Sequence, residues 1–545
     1  MSGTGKDRVA AKQVSTGSIY SFAIKHIDVL ALIAIFLLAF GIRYVTLMDA
    51  GLTWDEQDVL AAGMKYGHNL ESLKFDAGSW SYLSEHGPVS KYIYGLVLGL
   101  LNHRALDLAA FEISRTVSAF IGVATCFLVY FLGREFFNRR VAFVSALVLA
   151  LIPTFIAHTQ VAAIDGPIAF FYTLTMGLFL VAIKKNNLYW YIASAISLGF
   201  LIDVKFNGLV AIPAMGLSYL VYKYMNRFSR ESPRGKSASL KDTIVALFKY
   251  YVPVLPLIGF GILTLATIYF LWPWLWPDPI GRLSLSLAHW EYVPIEYFLG
   301  QPQVAPPTYY IAYLLVTTPL LLLIPLPIGV YGNLKSKDVY KYAMLIWFVV
   351  PFAYSFSGFI QGGMRYLLMI FPPMAILIAQ GLYCIAEWAE RFKLPRGTVF
   401  AILSALTLVY LLFTAASISP YYLDYYNALA GGPAHVQQEK LFNIGWWGEG
   451  TYSAVNYVET TAVPNSTVYV LAMPNHQVHF YGLKNNYVCP DIKGDFVVPG
   501  TPDYIVDNFF TGEYFNATFD RSKYELVYVS SVQNATLTEV YKHTG

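Results

Sequence analysis

Eleven apolar runs, each close to the length of a membrane-spanning helix, fill the chain between residues 27 and 416. A helix crossing the hydrocarbon core needs about 20 apolar residues, and its backbone polar groups must be satisfied within the segment. That requirement confines most of this chain to transmembrane helices. The runs lie at about 27–47, 113–133, 141–158, 167–183, 188–203, 207–222, 250–271, 308–330, 341–357, 366–386 and 398–416. Composition agrees, with 56% of residues hydrophobic and 13% charged, about half the charged share of an ordinary soluble domain. A twelfth stretch, 91–102, is short and bounded by Lys91 and His103-Arg104. It reads as a surface or re-entrant helix.

Positive charge sets the direction of threading. Take eleven spans with residues 1–26 as a cytoplasmic tail. Of the 37 lysines and arginines, 22 then fall in inner segments, nine in outer loops and six in the C-terminal tail, as the positive-inside rule requires. Counting 91–102 as a span would flip every later loop and put Arg134, Arg139, Arg140 and the basic cluster at 223–241 outside. The N-terminal tail is polar and basic with no cleavage pattern, so the first run is expected to be a retained anchor. Residues 417–545 are then an extracytoplasmic soluble α/β domain, with strands expected at 467–471 and 524–529 from their alternation. All three Asn-x-Ser/Thr sequons, at Asn465, Asn516 and Asn534, fall in it, on the side where such sites are used. The expected location is a cell membrane, crossed many times. A net charge of +3 gives no reason to expect nucleic acid as a partner, and the three scattered cysteines form neither a disulfide framework nor a metal-ligand spacing.

The unusual polar residues gather on the outer side of the 27–416 domain. Asp55 and Glu56 follow the first run directly, and the outer loop 48–112 also carries His86 and Lys91. Arg115 opens the second span, Asp165 sits in the turn 163–167, Lys205 in the turn 203–208, and Arg365 begins the tenth span. Carboxylates at membrane depth are costly, so they point to function. A carboxylate base beside several cations suits chemistry on a substrate with a lipid tail and an anionic head. Each residue also has a plainer use. Lysines and arginines snorkel at helix ends, Asp165 can cap the helix after it, Lys205 can pair with Asp203, and His86 can serve as a hydrogen-bonding loop residue.

The order of these segments resembles that of the GT-C membrane glycosyltransferases. They run Asp55-Glu56, His86-x-Pro88-x-x-Lys91, Arg115-Thr-Val-Ser-Ala, Asp165-x-Pro167, Lys205-Phe-Asn-Gly and Arg365-Tyr-Leu-Leu-Met. The nearest likeness is to the protein O-mannosyltransferase and aminoarabinose-transferase superfamily, glycosyltransferase family 39 and its neighbours. It covers roughly residues 27–420, and no motif in it is specific alone. The segment 421–433, with Trp446-Trp447-Gly448-Glu449-Gly450, looks like the tail of many prokaryotic members, archaeal ones included.

The resemblance implies a sugar donor on a polyprenyl or dolichyl phosphate, mannose being a sugar typical of the family. The acceptor hydroxyl would belong to a glycan, glycolipid or protein on the extracytoplasmic face. It implies Asp55 as base, Glu56 and Asp165 as further catalytic carboxylates, and His86, Lys91, Arg115, Lys205 and Arg365 around the lipid phosphate. No metal or other cofactor is expected. A single displacement predicts inversion at the anomeric carbon. The chain departs from the pattern in having Gly87-Pro88 where relatives have two prolines. It also lacks the inserted sugar-binding domain of eukaryotic protein mannosyltransferases, which puts a protein acceptor in doubt.

Two rival readings stand beside this one. Trp446-Trp447-Gly448-Glu449-Gly450 is similar to the Trp-Trp-Asp-Tyr-Gly motif of oligosaccharyltransferase catalytic subunits but differs at its third and fourth positions. A polyprenyl-lipid transporter or flippase is the non-enzymatic alternative, although such proteins commonly show internal repeats, and none is visible here.

Overall fold

The computed structural model describes residues 26–228, 254–288, 295–356, 360–472, 475–481, 483–492 and 494–545. The N-terminal tail 1–25 and the basic segment 229–249 lie outside the described residues. Where described, each of the eleven apolar runs coincides with a helix or a pair of helices. Among the described residues, six helices are long and apolar enough to cross a membrane, or up to eight spans if two bent pairs each count as one. Those pairs are Arg139–Leu151 with Pro153–Gln160, bent by 66°, and Tyr309–Thr317 with Leu320–Lys335, bent by 119°. Prolines mark both breaks: Pro153 starts the second half of the first pair, and the extended Pro319 separates the halves of the other. A proline removes a backbone donor and crowds the preceding turn.

The bend at Ile152 is stitched to the first helix, Ile27–Tyr44. The buried Arg43 Nε donates to Thr159 Oγ1 at 2.8 Å, and Gln160 Nε2 donates to the Arg43 carbonyl at 2.8 Å. Arg43 therefore holds helices together and does not face the headgroups. Helix Val89–Leu100 has 12 residues, about 18 Å of length, which is too short to span alone. It crosses the helix Trp54–Glu71 so closely that a Cβ on Gly95 would lie 1.9 Å from the Gly63 carbonyl oxygen.

Among the described residues, nine strands complete the fold. β1 (Ile295–Phe298) and β2 (Gln301–Val304) form an antiparallel hairpin between the helices. The other seven lie beyond the last long helix, Arg396–Ile418, in a mixed α/β domain. They are β3 (Thr467–Leu471), β4 (Asn486–Val488), β5 (Phe496–Val497), β6 (Tyr504–Asn508), β7 (Ala517–Thr518), β8 (Tyr524–Val532) and β9 (Ala535–His543). Five of them make one sheet in the order β4-β3-β6-β9-β8, and β5 pairs with β7 apart from it. Within the sheet β4, β3 and β6 run parallel, while β9 lies antiparallel to both β6 and β8. The helix Thr451–Thr461 covers one face through Ala454, Val455 and Val458. Leu471, Ile492 and Tyr541 fill the other. This domain is docked and not tethered, because Tyr422, Tyr425, Tyr426, Phe442 and Ile444 belong to the same buried core as the long helices. The hairpin meets it where Phe298 pairs with Phe442.

Candidate active site

Four charged side chains from distant parts of the chain form one alternating series. Asp165 begins the helix Asp165–Lys185; its Oδ1 accepts from Lys205 Nζ at 3.1 Å and its Oδ2 from Arg365 Nε at 2.7 Å. The other arm of Arg365, Nη2, donates to Asp55 Oδ2. Asp165 and Lys205 are fully buried, whereas the side chain of Asp55 is 27% exposed. Buried charges are tolerated when each meets its opposite, and this series satisfies that condition while leaving its Asp55 end open. Aromatic rings brace the two cations. Lys205 Nζ sits 3.8 Å from the centroid of Tyr366, and the Arg365 guanidinium lies 4.8 Å from that of Trp447. Lys205 thus pairs with Asp165; its sequence neighbour Asp203 is buried with neither carboxylate oxygen hydrogen-bonded.

The adjacent acids expected to act together are separated by their surroundings. Glu56 is completely buried and accepts from Arg115 Nε at 2.7 Å and Nη2 at 2.5 Å, from Ala162 N at 2.8 Å and from Thr53 N at 2.8 Å. Burial raises its pKa, but Arg115 and these bonds outweigh burial and hold it below the usual carboxylate range. Arg115 Nη1 donates to the Leu47 carbonyl at 2.7 Å, and Nη2 donates also to the Gly51 carbonyl at 2.6 Å. Glu56, expected among the catalytic carboxylates, and Arg115, expected among the phosphate ligands, are bonded to each other and fix the loop that presents Asp55. The sequence carried a sign of this, because Thr53-Trp54-Asp55-Glu56 is a capping box, in which the glutamate turns back onto the start of its own helix.

Lys91 is likewise buried, donating to the carbonyls of Leu83 and His86, the latter at 2.8 Å. Burial pushes it down to about 7, and its two bonds shape the 83–88 loop. His86 is nearer to the Arg365 series. Burial, followed by the charges of Lys205, Lys91 and Arg365, keeps its ring well below its usual pKa and so neutral. The Gly87 departure also has a cause: a Cβ there would lie 2.3 Å from the Asp203 carbonyl oxygen.

Two residues join the site without having been expected there. His158 is fully buried and packs 5.5 Å from Trp447, with neither ring nitrogen hydrogen-bonded to the protein. It feels the charges of Asp165, Arg365 and Lys205. The only sequence signal was a histidine inside an apolar run. Trp447 brings the C-terminal domain to the site. Its ring stacks on Trp446 at 5.3 Å, and its amide donates to Glu449, two residues on in the same motif, at 3.0 Å. Among the described residues, no group of three or more His, Cys, Asp or Glu is placed to hold a metal ion.

Residues 85–247 match the sequence profile of the family described as dolichyl-phosphate-mannose-protein mannosyltransferase. That segment contains His86, Lys91, Arg115, His158, Asp165 and Lys205. A protein of Bacillus subtilis named as a putative mannosyltransferase, YycA, is 30% identical over 130 residues, which is 24% of this chain and 18% of that protein. The chain therefore matches less than a fifth of the length of that curated relative. Among solved structures, ArnT from Cupriavidus metallidurans bound to undecaprenyl phosphate superposes with a TM-score of 0.51 at 14% identity, covering 95% of this chain and 98% of that one. The chain has the GT-C fold. The likeness read from the order of short motifs thus holds for the fold as a whole, and the helical, multi-pass character of the chain agrees with it. Archaeal oligosaccharyltransferase AglB from Archaeoglobus fulgidus, in complex with an inhibitory peptide and a dolichol-phosphate, gives a TM-score of 0.48 at 14% identity over 89% of this chain and 70% of that one.

Proposed function

We propose that this GT-C protein is a glycosyltransferase that moves a sugar from a polyprenyl- or dolichyl-phosphate donor to an acceptor hydroxyl on the extracytoplasmic face, mannose being the first sugar to try. The observation that carries the reading is the Asp55–Arg365–Asp165–Lys205 series. It places a partly exposed carboxylate beside two cations that are buried and pre-aimed. Fixed charges of this kind favour a transition state in which negative charge builds on a leaving phosphate.

In this mechanism the donor phosphate takes over Arg365 and Lys205, and Asp55 is released from Arg365. Asp55 then accepts the proton of the acceptor hydroxyl as that oxygen bonds to the anomeric carbon. The bond from that carbon to the phosphate oxygen breaks, its electron pair leaves on the lipid phosphate, and the anomeric configuration inverts. Asp165 keeps both cations oriented. Arginine and lysine supply the counter-charge, so no metal is required. The same reading places the N-terminus in the cytoplasm, threads eleven spans through 27–416, and puts 417–545 outside. Asn465, Asn516 and Asn534 are exposed in turns of that domain, so glycan attached there in a glycosylating host would report its side.

The test is transfer of radiolabelled sugar from a polyprenyl-phosphate donor, in membranes holding wild type or the Asp55→Asn variant, with and without chelator. Label moved by wild type alone and unaffected by chelator is the expected result. Transfer that needs manganese or magnesium would favour the oligosaccharyltransferase reading. No transfer by folded wild type from any such donor would favour a lipid carrier.

A further inference from the structure

Glu296, in β1 of the hairpin, is a buried carboxylate with no lysine or arginine paired to it among the described residues. Three donors from three separate parts of the chain converge on it. Gly362 N–H donates to Oε1 at 3.2 Å; Tyr309 O–H and Asn443 Nδ2 donate to Oε2 at 3.1 and 2.7 Å. The Tyr309 oxygen in turn accepts from Gly363 N–H at 3.0 Å. Both amides of the Gly362-Gly363 pair are therefore tied, one directly and one through Tyr309.

That pair is the turn from which Arg365 emerges. Its φ angles are +66° and +55°, and Arg365 N donates to the Gly362 carbonyl at 3.1 Å. Glycine reaches such angles freely, and for the same reason two successive glycines do not hold a turn by themselves. Asn443, the third donor, belongs to the C-terminal domain and lies beside Phe442, which pairs with Phe298 of the same hairpin.

We propose that Glu296 is a positioning residue for Arg365, and that through Asn443 it makes the seating of the C-terminal domain a condition for the arginine's placement. The inference rests on the reading above that Arg365 receives the lipid phosphate. Its chemistry is specific to a carboxylate. Glutamine at 296 keeps the shape but replaces one acceptor oxygen with an NH2 group, which the Gly362 amide cannot meet and which Tyr309 and Asn443 can meet only by turning their own donors away from it.

The experiment measures binding of undecaprenyl phosphate and dolichyl phosphate to the full-length protein in nanodiscs, together with thermal unfolding. The variants are Glu296→Gln, Asn443→Ala, Arg365→Ala and the Glu296→Gln/Arg365→Ala double. Glu296→Gln is expected to weaken lipid-phosphate binding by about tenfold, within the range that displacing a binding group by about an ångström produces, with the unfolding temperature kept. Asn443→Ala should move binding the same way by less. In the Arg365→Ala background, Glu296→Gln should change binding less than about twofold, since coupled residues are not additive. Wild-type binding by Glu296→Gln would show that Glu296 only fills space, and an undiminished effect in the Arg365→Ala background would show that it acts elsewhere; either overturns the inference. Arg365→Ala that binds as wild type does would instead overturn the reading of Arg365 as the phosphate ligand.

Discussion

Most buried carboxylates on the two sides of the candidate site are held in opposite ways, Asp203 on the helix side having neither oxygen hydrogen-bonded. On the side of the long helices, Glu56 meets Arg115, and Asp165 meets both Lys205 and Arg365. On the side of the hairpin and the C-terminal domain, Glu296, Asp424 and Glu449 meet neutral hydrogen-bond donors and, among the described residues, no lysine or arginine. Gly445 N donates to Asp424 at 2.8 Å and Trp447 N to Glu449 at 3.0 Å. A charge paired with a charge resists separation and suits a frame that must keep its charge for chemistry. A carboxylate held by neutral donors keeps its place but stays open to protonation. The boundary between the two regimes runs through Arg365, paired with acids on one side and packed on Trp447 of the other domain.

The sharpest way to break this contrast is to remove the one exposed charge of the series. Asp55→Asn is expected to lower sugar transfer by about 10²–10⁴-fold, the usual cost of losing a positioned base. Because asparagine no longer holds Arg365 by charge, the variant should also bind undecaprenyl phosphate at least as tightly as wild type. Weaker binding alongside the lost activity would mean that Asp55 builds the phosphate site and is not its competitor.

Next in size is the frame. Truncating one partner of a fully buried ion pair strands the other, at a cost of about 3–5 kcal/mol. Arg115→Ala should therefore reduce the amount of folded protein recovered and its unfolding temperature, with activity lost only as the fold is lost. Replacing both partners, Glu56→Gln with Arg115→Met, should recover part of that stability because no lone charge remains. If Arg115→Ala folds normally and fails only in donor binding, Arg115 belongs with the phosphate ligands after all.

A smaller effect is expected where the two regimes meet. Trp447 offers Arg365 a ring face, and a contact of that kind contributes about 0.5–2 kcal/mol. Trp447→Ala should raise the donor KM by several fold with little change in kcat. Trp446→Ala, one ring further from the guanidinium, should do less. Equal effects from both would mean that the domain contact matters as a whole and the cation–ring contact does not.

How much of this was legible depended on sequence distance. The apolar runs marked the helices, and the alternation at 467–471 and 524–529 marked β3 and most of β8. Hydropathy carries no direction, so the 66° and 119° bends were invisible although prolines stood at both breaks. Asp55, Asp165, Lys205 and Arg365, each singled out by its place at a helix end, do meet in space. Their pairing was not legible, because Lys205 had a nearer acid in Asp203 and took a farther one. That Arg115 and Glu56 are bonded to each other was not legible either, because an arginine and a glutamate at a membrane edge look alike whether they face a substrate or each other. Glu296 and His158 stayed hidden for the same reason, since what makes each notable is a set of neighbours from other helices.

The least drastic way to separate the two regimes is pH. Burial pushes Glu296 up to about 7, and it also raises Glu449 and, with the charge of Glu449 added, Asp424; Asp507, although bonded to Arg521 at 3.3 Å, is raised by burial as well. Unfolded carboxyls titrate near about 4. Between that value and about 7 the folded chain keeps protons that the unfolded chain has released, so stability from these groups is highest at the acid end and falls as pH rises, levelling off above about 7. Glu56 has the opposite sign: its pKa is lowered, so its contribution is present above the ordinary carboxyl range and is lost only as pH falls below it. Backbone hydrogen exchange in nanodiscs should therefore show the C-terminal domain loosening from about pH 5 to about pH 7 while the helix Trp54–Glu71 stays protected. The groups nearest Glu449 and Glu296 support the assignment, since Asp424 faces the first and the tyrosines Tyr309, Tyr313 and Tyr426 face the second, none of them a cation. Glu449→Gln removes one titrating group and keeps an acceptor for the Trp447 amide, so it should flatten part of the slope. A C-terminal domain equally protected at both ends of that range would mean that Glu296, Asp424 and Glu449 are ionised in the folded chain as the carboxylates of the helices are, and the contrast between the two sides would be gone.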